Sequence, residues 1–299
     1  MKTLSYIILG TAACMLSACG ENNGQYDASG VFETTEVTVS AKGNGEIMQL
    51  DVEEGDLLNA GQVVGYIDTL QLYLKSLELS GNLKAIDSRR YDVSRQIASI
   101  KQEIATGKRE KKRFENLVKE DAANQKQLDD INAQIALLEK QLAAQTETLE
   151  NGNKGVDGQI QMLEAQKAQI EDQIDKCIII SPREGTVLSK YAEQGELATQ
   201  GRSLFKIGDL TNMYLRVYVT ASQLTMLKLG QEVKVYADEG EEGRREYRGT
   251  ISWISDKAEF TPKTIQTRDE RANLVYAVKV AVKNDGFIKN GMYGDIKIN

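Results

Sequence analysis

One short segment occurs twice in the chain, at an offset of 140 residues. The first copy is GEIMQLDVEEGDLLNAGQVVGYI, Gly45 to Ile67, and the second is GTVLSKYAEQGELATQGRSLFKI, Gly185 to Ile207. Aligned without a gap, six of 23 positions are identical: Gly45/Gly185, Glu53/Glu193, Gly55/Gly195, Leu57/Leu197, Gly61/Gly201 and Ile67/Ile207. A gapless repeat implies one structural unit used twice. Apolar residues alternate, an acidic-glycine turn follows, and a second short apolar run closes the unit, which is a β pattern. The glycines Gly45, Gly55, Gly61, Gly185, Gly195 and Gly201 fall where tight turns call for positive φ. Neither copy is long enough to bury a core alone, so the two are expected to pack face to face.

The repeated segment resembles half of the biotinyl/lipoyl fold, a flattened sandwich of two four-stranded halves. In carrier proteins of that fold a tight hairpin bearing a modifiable Lys joins the halves. Here more than a hundred residues stand in its place, from Thr69 to about Lys176, and no turn Lys is present. The chain therefore does not read as a carrier.

The insertion has helical periodicity. Leu83, Ile86, Arg90, Val93, Ile97, Ile100, Ile104, Gly107, Lys111, Phe114 and Val118 follow a 3,4 spacing, and Leu128, Ile131, Ile135, Leu138, Leu142, Gln145 and Leu149 repeat it. Ile160, Leu163, Lys167, Ile170 and Ile174 resume it after NGNKGVDG, Asn151–Gly158. This is the narrow seam of a coiled coil, with charged residues on the flanks. The first proline is Pro182, so nothing forbids long helices. A reversal near Glu120–Asn124 predicts two antiparallel arms. About 50 residues per arm gives a rod of roughly 75 Å. Three glycines at 152, 155 and 158 each cost about 1 kcal/mol inside a helix and predict a break or hinge in the return arm.

Charge and composition narrow the function. A net charge of −7, with Lys and Arg spread along the helices, argues against nucleic-acid binding. The chain has no His, which removes the commonest general base and metal ligand. No nucleophile elbow, Cys/His pair or phosphate loop is present. The reading is of a non-enzyme without cofactor or metal. Residues 1–18 form a signal peptide: Lys2, an apolar run, then Leu16-Ser17-Ala18-Cys19. The last four residues resemble a bacterial lipobox, which implies lipid on Cys19. With Cys14 removed and Cys19 modified, Cys177 alone keeps a thiol and lies in the helical register, where a small buried residue fits.

Beyond Ile207 the pattern is β: Met213–Thr220, Glu232–Ala237, Arg248–Ile254 and Val275–Val282, with a short helix over Ala221–Leu229 capped by Thr220. These strands resemble the small barrel of periplasmic adaptors. Gly30–Ser40 and Gly291–Ile298 lie outside and are expected to meet near the membrane. The nested order is terminal strands, barrel, sandwich half, hairpin, and back. That order is similar to the membrane fusion proteins, periplasmic adaptors of the hemolysin-secretion type, over essentially the whole mature chain. The fold class is α+β and elongated: a coiled-coil hairpin inserted between two halves of a lipoyl-like sandwich, with a barrel and membrane-proximal strands. The division reads as 1–18 signal peptide, 19–29 lipidated tether, 30–40 and 285–299 membrane-proximal strands, 41–69 and 178–208 split sandwich, 70–177 hairpin (tip about 118–125, break about 151–158) and 209–284 barrel.

Adaptors that dock onto outer-membrane channels carry R-x3-L-x6-S-x3-L-D at the hairpin tip. Arg113, Leu117, Leu128 and Asp129 match at that spacing, and Asn124 stands at the Ser position. The resemblance implies channel docking by these five residues, an inner-membrane exporter and an outer-membrane channel as partners, and a hexameric ring. It also implies a lipid-anchored location at the periplasmic face of the inner membrane. Phe260–Val280 and the glycine interruption look like adaptors of ABC-type exporters. The alternatives are an adaptor of a proton-driven resistance-nodulation-division pump and a structural coiled-coil lipoprotein.

Overall fold

A computed structural model of the chain describes residues 26–240, 243–260 and 274–298. The signal peptide, Cys19 and most of Phe260–Val280 lie outside the described residues. The strands run β1 (Ala28–Glu33), β2 (Glu36–Ser40), β3 (Gly45–Leu50), β4 (Leu57–Leu58), β5 (Val63–Ile67), β6 (Ile178–Ile180), β7 (Gly185–Lys190), β8 (Leu197–Ala198) and β9 (Ser203–Gly208). Then follow β10 (Asn212–Thr220), β11 (Glu232–Asp238), β12 (Arg244–Phe260), β13 (Leu274–Lys283) and β14 (Tyr293–Lys297). The helices are α1 (Leu70–Asp87), α2 (Val93–Gln96), α3 (Ala98–Lys119), α4 (Gln125–Asp175) and α5 (Ala221–Leu224).

The two repeats build one sandwich by exchanging strands. One sheet has the order β2-β9-β7-β4 and the other β6-β5-β3-β8. Each sheet thus ends on a two-residue strand from the opposite repeat. The backbone bonds repeat at the same offset. Gly55 N–H donates to Val187 O, and Gly195 N–H donates to Ile47 O, at 2.9 and 2.8 Å. Gly61 N–H donates to Ser181 O, and Gly201 N–H to Ala41 O, at 2.8 and 2.9 Å. The repeat-matched apolar residues Ile47/Val187, Val64/Leu204 and Ile67/Ile207 are all buried in one shared core.

The second core belongs to a closed six-stranded barrel, β1-β10-β13-β12-β11-β14. Along β10 the buried residues alternate, Met213, Leu215, Val217 and Val219, as one inward face requires. Leu224 and Leu227, on and just after α5, pack against that core. Thr220 caps α5 in a capping box with Gln223. Here the terminal segments part from the expected separate pair of strands. Residues 30–40 are split at Thr34–Thr35: β1 and β14 are neighbouring strands of the barrel, and β2 joins the sandwich. The physical reason is closure. Without β1 and β14 the sheet would present open edges and leave Phe32 and Ile296, both fully buried, without a core.

The hairpin corrects a second expectation. The return arm α4 runs without interruption for 51 residues, straight through Asn151–Gly158. The break lies in the ascending arm, between α1 and α2 at Ser88–Asp92 and again at Ile97. Seam residues Ile97, Ile104, Ile135, Leu138, Leu149 and Leu163 are buried, so the arms remain packed above and below the break. Packing against the facing helices offsets the glycine penalty in α4.

Candidate functional site

The chain reverses between α3 and α4, and the turn is built from local hydrogen bonds. Asp121 has φ 54, the left-handed region that Asp tolerates better than most residues. Ala122 N–H donates to Leu117 O at 2.8 Å and closes the end of α3. Asn124 is the N-cap of α4, its Oδ1 accepting from Lys126 N–H at 3.0 Å. The Asn side-chain acceptor therefore serves the helix, and its amide N–H groups are what it can offer outward. Asp129 accepts from Gln125 Nε2 at 2.9 Å one turn on.

Arg113, Asn124 and Asp129 are exposed, while Leu117 and Leu128 are half-buried. Arg113 lies 5.4 Å from the Phe114 ring centroid and 3.7 Å from Glu110, a loose ion pair on an exposed surface. The tip carries one cation and one partly covered leucine near the end of α3, and a second leucine and a carboxylate in the first turns of the antiparallel α4. Such a group can bind a helix end or groove. It contains no nucleophile beside a base, and no enzymatic chemistry follows from it.

At the other end of the hairpin, five of the six repeat glycines have positive φ: Gly45 at 151°, Gly55 at 100°, Gly61 at 78°, Gly195 at 88° and Gly201 at 90°. Gly185 is the exception and is constrained by proximity instead. A Cβ there would stand 2.7 Å from Gly208 O. Cys177 is fully buried, and burial followed by the Asp68 charge pushes its thiol pKa up. It stays protonated and unreactive. An open polar cleft of about 560 Å³ lies between sandwich and hairpin foot, with Asp68, Gln71, Asp172 and Lys176 on its walls. No cluster of His, Cys, Asp or Glu suited to a metal occurs among the described residues. Among the same residues no helix is long and apolar enough to cross a membrane.

Sequence reasoning missed the joint in the ascending arm. Asn153 clasps the Tyr91 backbone from across the hairpin: Tyr91 N–H donates to Asn153 Oδ1 at 2.8 Å, and Asn153 Nδ2 donates to Tyr91 O at 3.0 Å. Arg90 reaches Asp157 at 2.8 Å. A Cβ on Gly152 would stand 2.9 Å from the Tyr91 ring. Asp92 caps α2, accepting from Arg95 N–H at 3.1 Å, and the Ser94 hydroxyl and Arg95 amide hold its carboxyl below the ordinary value. The cap was the available signal. Ser88, Asp92 and Ser94 in one short stretch compete with helical hydrogen bonding.

Residues 35–209, the sandwich with its inserted hairpin, match the family model described as "RND MFP, barrel-sandwich hybrid domain". The chain is a membrane fusion protein. Membrane fusion proteins are adaptors and not enzymes. A UPF0194 membrane protein of Citrobacter koseri is 26% identical over 280 residues, 86% of this chain and 83% of that relative. MacA from Actinobacillus actinomycetemcomitans has a similar fold, with TM-score 0.56 and 19% identity over 90% of this chain and 76% of that one. The membrane fusion protein Spr0693 from Streptococcus pneumoniae gives TM-score 0.51 and 18% identity over 91% and 98%. The split sandwich, hairpin and barrel together are the architecture of a periplasmic adaptor.

Proposed function

We propose that this membrane fusion protein joins an inner-membrane exporter to an outer-membrane channel in a trans-envelope efflux or secretion system. The observation that carries the reading is the tip. Arg113, Leu117, Asn124, Leu128 and Asp129 keep the docking spacing at the point where the hairpin reverses, at its far end from the sandwich. Leu117 would bury against helices of the channel. Arg113 would supply charge-assisted hydrogen bonds, the stronger kind. The inner-membrane partner is read as an ABC-type exporter, from the likeness of Phe260–Val280 to adaptors of that branch. A proton-driven pump is the second reading, favoured by the description of the matching family model. Lipid on Cys19 would hold the chain at the periplasmic face of the inner membrane, and copies side by side would form a ring of six.

The test is the double change Arg113→Ala with Leu117→Ser. It touches no sandwich or barrel residue, so folding, membrane association and coupling to the exporter should persist while transport across the envelope is lost. Full export at wild-type protein levels would show that the tip is not the docking surface. Purifying the full-length protein with its bound partners separates the two exporter readings: an ATPase with permeases, or one large pump. Cys19→Ser should leave an uncleaved precursor, and normal processing of that variant would reject the anchor.

A further inference from the structure

The two ends of the barrel differ. At one end Glu33 leads through Thr34–Thr35 to β2, and Asp209–Thr211 carries the chain from β9 to β10, so this end is tied to the sandwich. β10 runs nine residues from there, about 30 Å, to Thr220 at the other end. There α5 and the loop to β11 cross the mouth of the barrel. Leu227 turns inward onto the core, and Gly230 N–H donates to Ile251 O at 2.9 Å. Its neighbours turn outward: Met226 is 58% and Leu229 68% exposed, with Lys228 exposed between them. Leu274 lies on the same rim, next to the Val275 that pairs with Thr220. Met226, Leu229 and Leu274 are the exposed large aliphatic side chains of the barrel among the described residues.

Exposed apolar residues occur elsewhere, Leu57 and Leu197 on the sandwich among them, so exposure alone selects nothing. Two further observations do. The first is where the chain enters. Gln223 Nε2 of α5 donates to Asp27 O at 2.6 Å, and Ile298 N–H donates to Asp27 Oδ2 at 2.6 Å, so both ends of the described chain meet at this rim. Seven residues, 19–25, lead from the lipobox cysteine to Tyr26, and they can span at most about 25 Å. A lipid on Cys19 would therefore keep this rim within a short tether of the bilayer.

The second observation is charge. The strand registers set Lys234 opposite both Arg248 and Lys297. Val233, Val235 and Ile296 face the core, so Lys234 and Lys297 face out. Lys234 stands two residues, about 7 Å, up β11 from Glu232 at the end of the loop. Like charges set directly opposite destabilise a sheet. Glu246 meets Lys234 at 2.9 Å, while Lys228, Arg248 and Lys297 have no ion pair among the described residues. The rim also holds the carboxylates of Glu232 and Asp27, and the second is occupied by Ile298 N–H. In a chain of net charge −7, a row of three cations sits just above an apolar loop. Apolar groups below and cations above match the layering of a membrane surface, acyl chains and then phosphates.

We propose that the loop between α5 and β11 is a membrane-contact loop. Met226 and Leu229 enter the boundary between acyl chains and headgroups at the periplasmic face of the inner membrane, and Lys228 with the Lys234, Arg248 and Lys297 row binds anionic phospholipid headgroups. The proposal rests on the reading of Cys19 as lipidated and gives the loop a task that the anchor cannot perform. A seven-residue tether limits distance but leaves the barrel free to turn. A second contact, at the end opposite the sandwich, points the sandwich away from the bilayer.

The test uses the full-length protein with one added cysteine: Met226→Cys, Leu229→Cys or, as a control, Tyr293→Cys, an exposed position on β14 toward the sandwich end. Each takes a polarity-sensitive dye. Cys177 is buried, and the parent protein gives the background labelling. The proteins are reconstituted into vesicles of phosphatidylcholine, alone or mixed with phosphatidylglycerol, with bromine on the acyl chains as quencher. All substituted positions are exposed, and circular dichroism checks folding. On mixed vesicles the dyes at 226 and 229 should shift to the blue and be quenched, and the dye at 293 should do neither. Met226→Glu should abolish the shift at 229. Lys228→Gln should lower the ratio of seated to unseated loop about fivefold on mixed vesicles, the effect of one Lys near an anionic surface, and leave it unchanged on phosphatidylcholine. Water-like emission at 226 and 229 would overturn the loop, as would an equal shift at 293. A shift that appears only when the exporter is added would overturn it too and assign the loop to a protein partner. No effect of Lys228→Gln, or an equal effect on both vesicles, would overturn the headgroup contact. Mass spectrometry of the N-terminal peptide separates this proposal from the anchor. An unmodified Cys19 with a seated loop overturns the anchor alone, and lipid on Cys19 with a water-like loop overturns the loop alone.

Discussion

The two arms of the hairpin share one seam, and the arm with the poorer helix sequence is the continuous one. α4 contains Gly152, Gly155 and Gly158 and still runs 51 residues. The ascending arm has no glycine from Ser88 to Ile97 and breaks there twice. The difference shows that breaks in a paired helix are decided across the pair. Ser88 bonds back to Ala85 O at 2.7 Å and Asp92 caps α2, so the ascending arm has local alternatives to the helix. Asn153 then satisfies the Tyr91 backbone, and Gly152 leaves room for its ring. One glycine in the continuous arm serves the break in the other.

The largest effect should come from filling that room. Gly152→Leu adds a good helix former to α4, so propensity alone would stabilise it by several tenths of a kcal/mol. The added side chain must displace the Tyr91 ring. We expect a net local loss of about 1–3 kcal/mol, read as faster amide exchange and protease cutting across Ser88–Asp92. A more protected linker would show that the glycine is not there for Tyr91. Next comes Asn153→Ala, which removes both bonds to Tyr91. With the site open to water, about 0.5–1.5 kcal/mol is at stake, up to roughly a tenfold rise in exchange at the Tyr91 amide. An unchanged rate would mean that the local caps alone hold the break.

The sandwich was legible in the sequence because its signals are local. Gly55 and Gly195 mark turns by their own φ, and Ile67 and Ile207 mark the core by alternation. The seam was legible for the same reason, through Ile104, Ile135 and Leu149. The break showed only its local half, the Asp92 cap, because the partner of Tyr91 lies 62 residues away and is an Asn in an unremarkable run. Barrel closure was not legible. β1 pairs with β14 at a separation of more than 250 residues, and nothing near Phe32 names Ile296 as a core neighbour. At the tip the sequence showed the spacing of Arg113, Leu117 and Asn124 but not that Asn124 spends its acceptor on Lys126 N–H.

Gly155 should respond with the opposite sign to Gly152. A Cβ at Gly155 meets nothing within 4 Å, and the residue lies in a continuous helix without positive φ. Gly155→Ala should therefore stabilise α4 by about 0.5–1 kcal/mol, through lost freedom in the unfolded chain and better helix propensity. Slower exchange along α4, with the Tyr91 amide unaffected, is the expected result. Destabilisation would show that Gly155 also serves the opposite arm.

The smallest effect should come from the charges. Arg90 touches Asp157 at 2.8 Å and Asp87 at 3.2 Å, which makes it the most conspicuous link across the break. All three side chains are substantially exposed, so water competes for each and holding the long Arg in one rotamer offsets the attraction. Arg90→Ala should leave exchange at Tyr91 unchanged in ordinary buffer, and raising the salt should not move the wild type either. Asn153 is neutral and bonds the backbone directly, so its contribution survives the same salt. If Arg90→Ala opens the break as far as Asn153→Ala does, or if salt alone opens it, then the arms are joined by charge and the Asn–Tyr clasp is secondary.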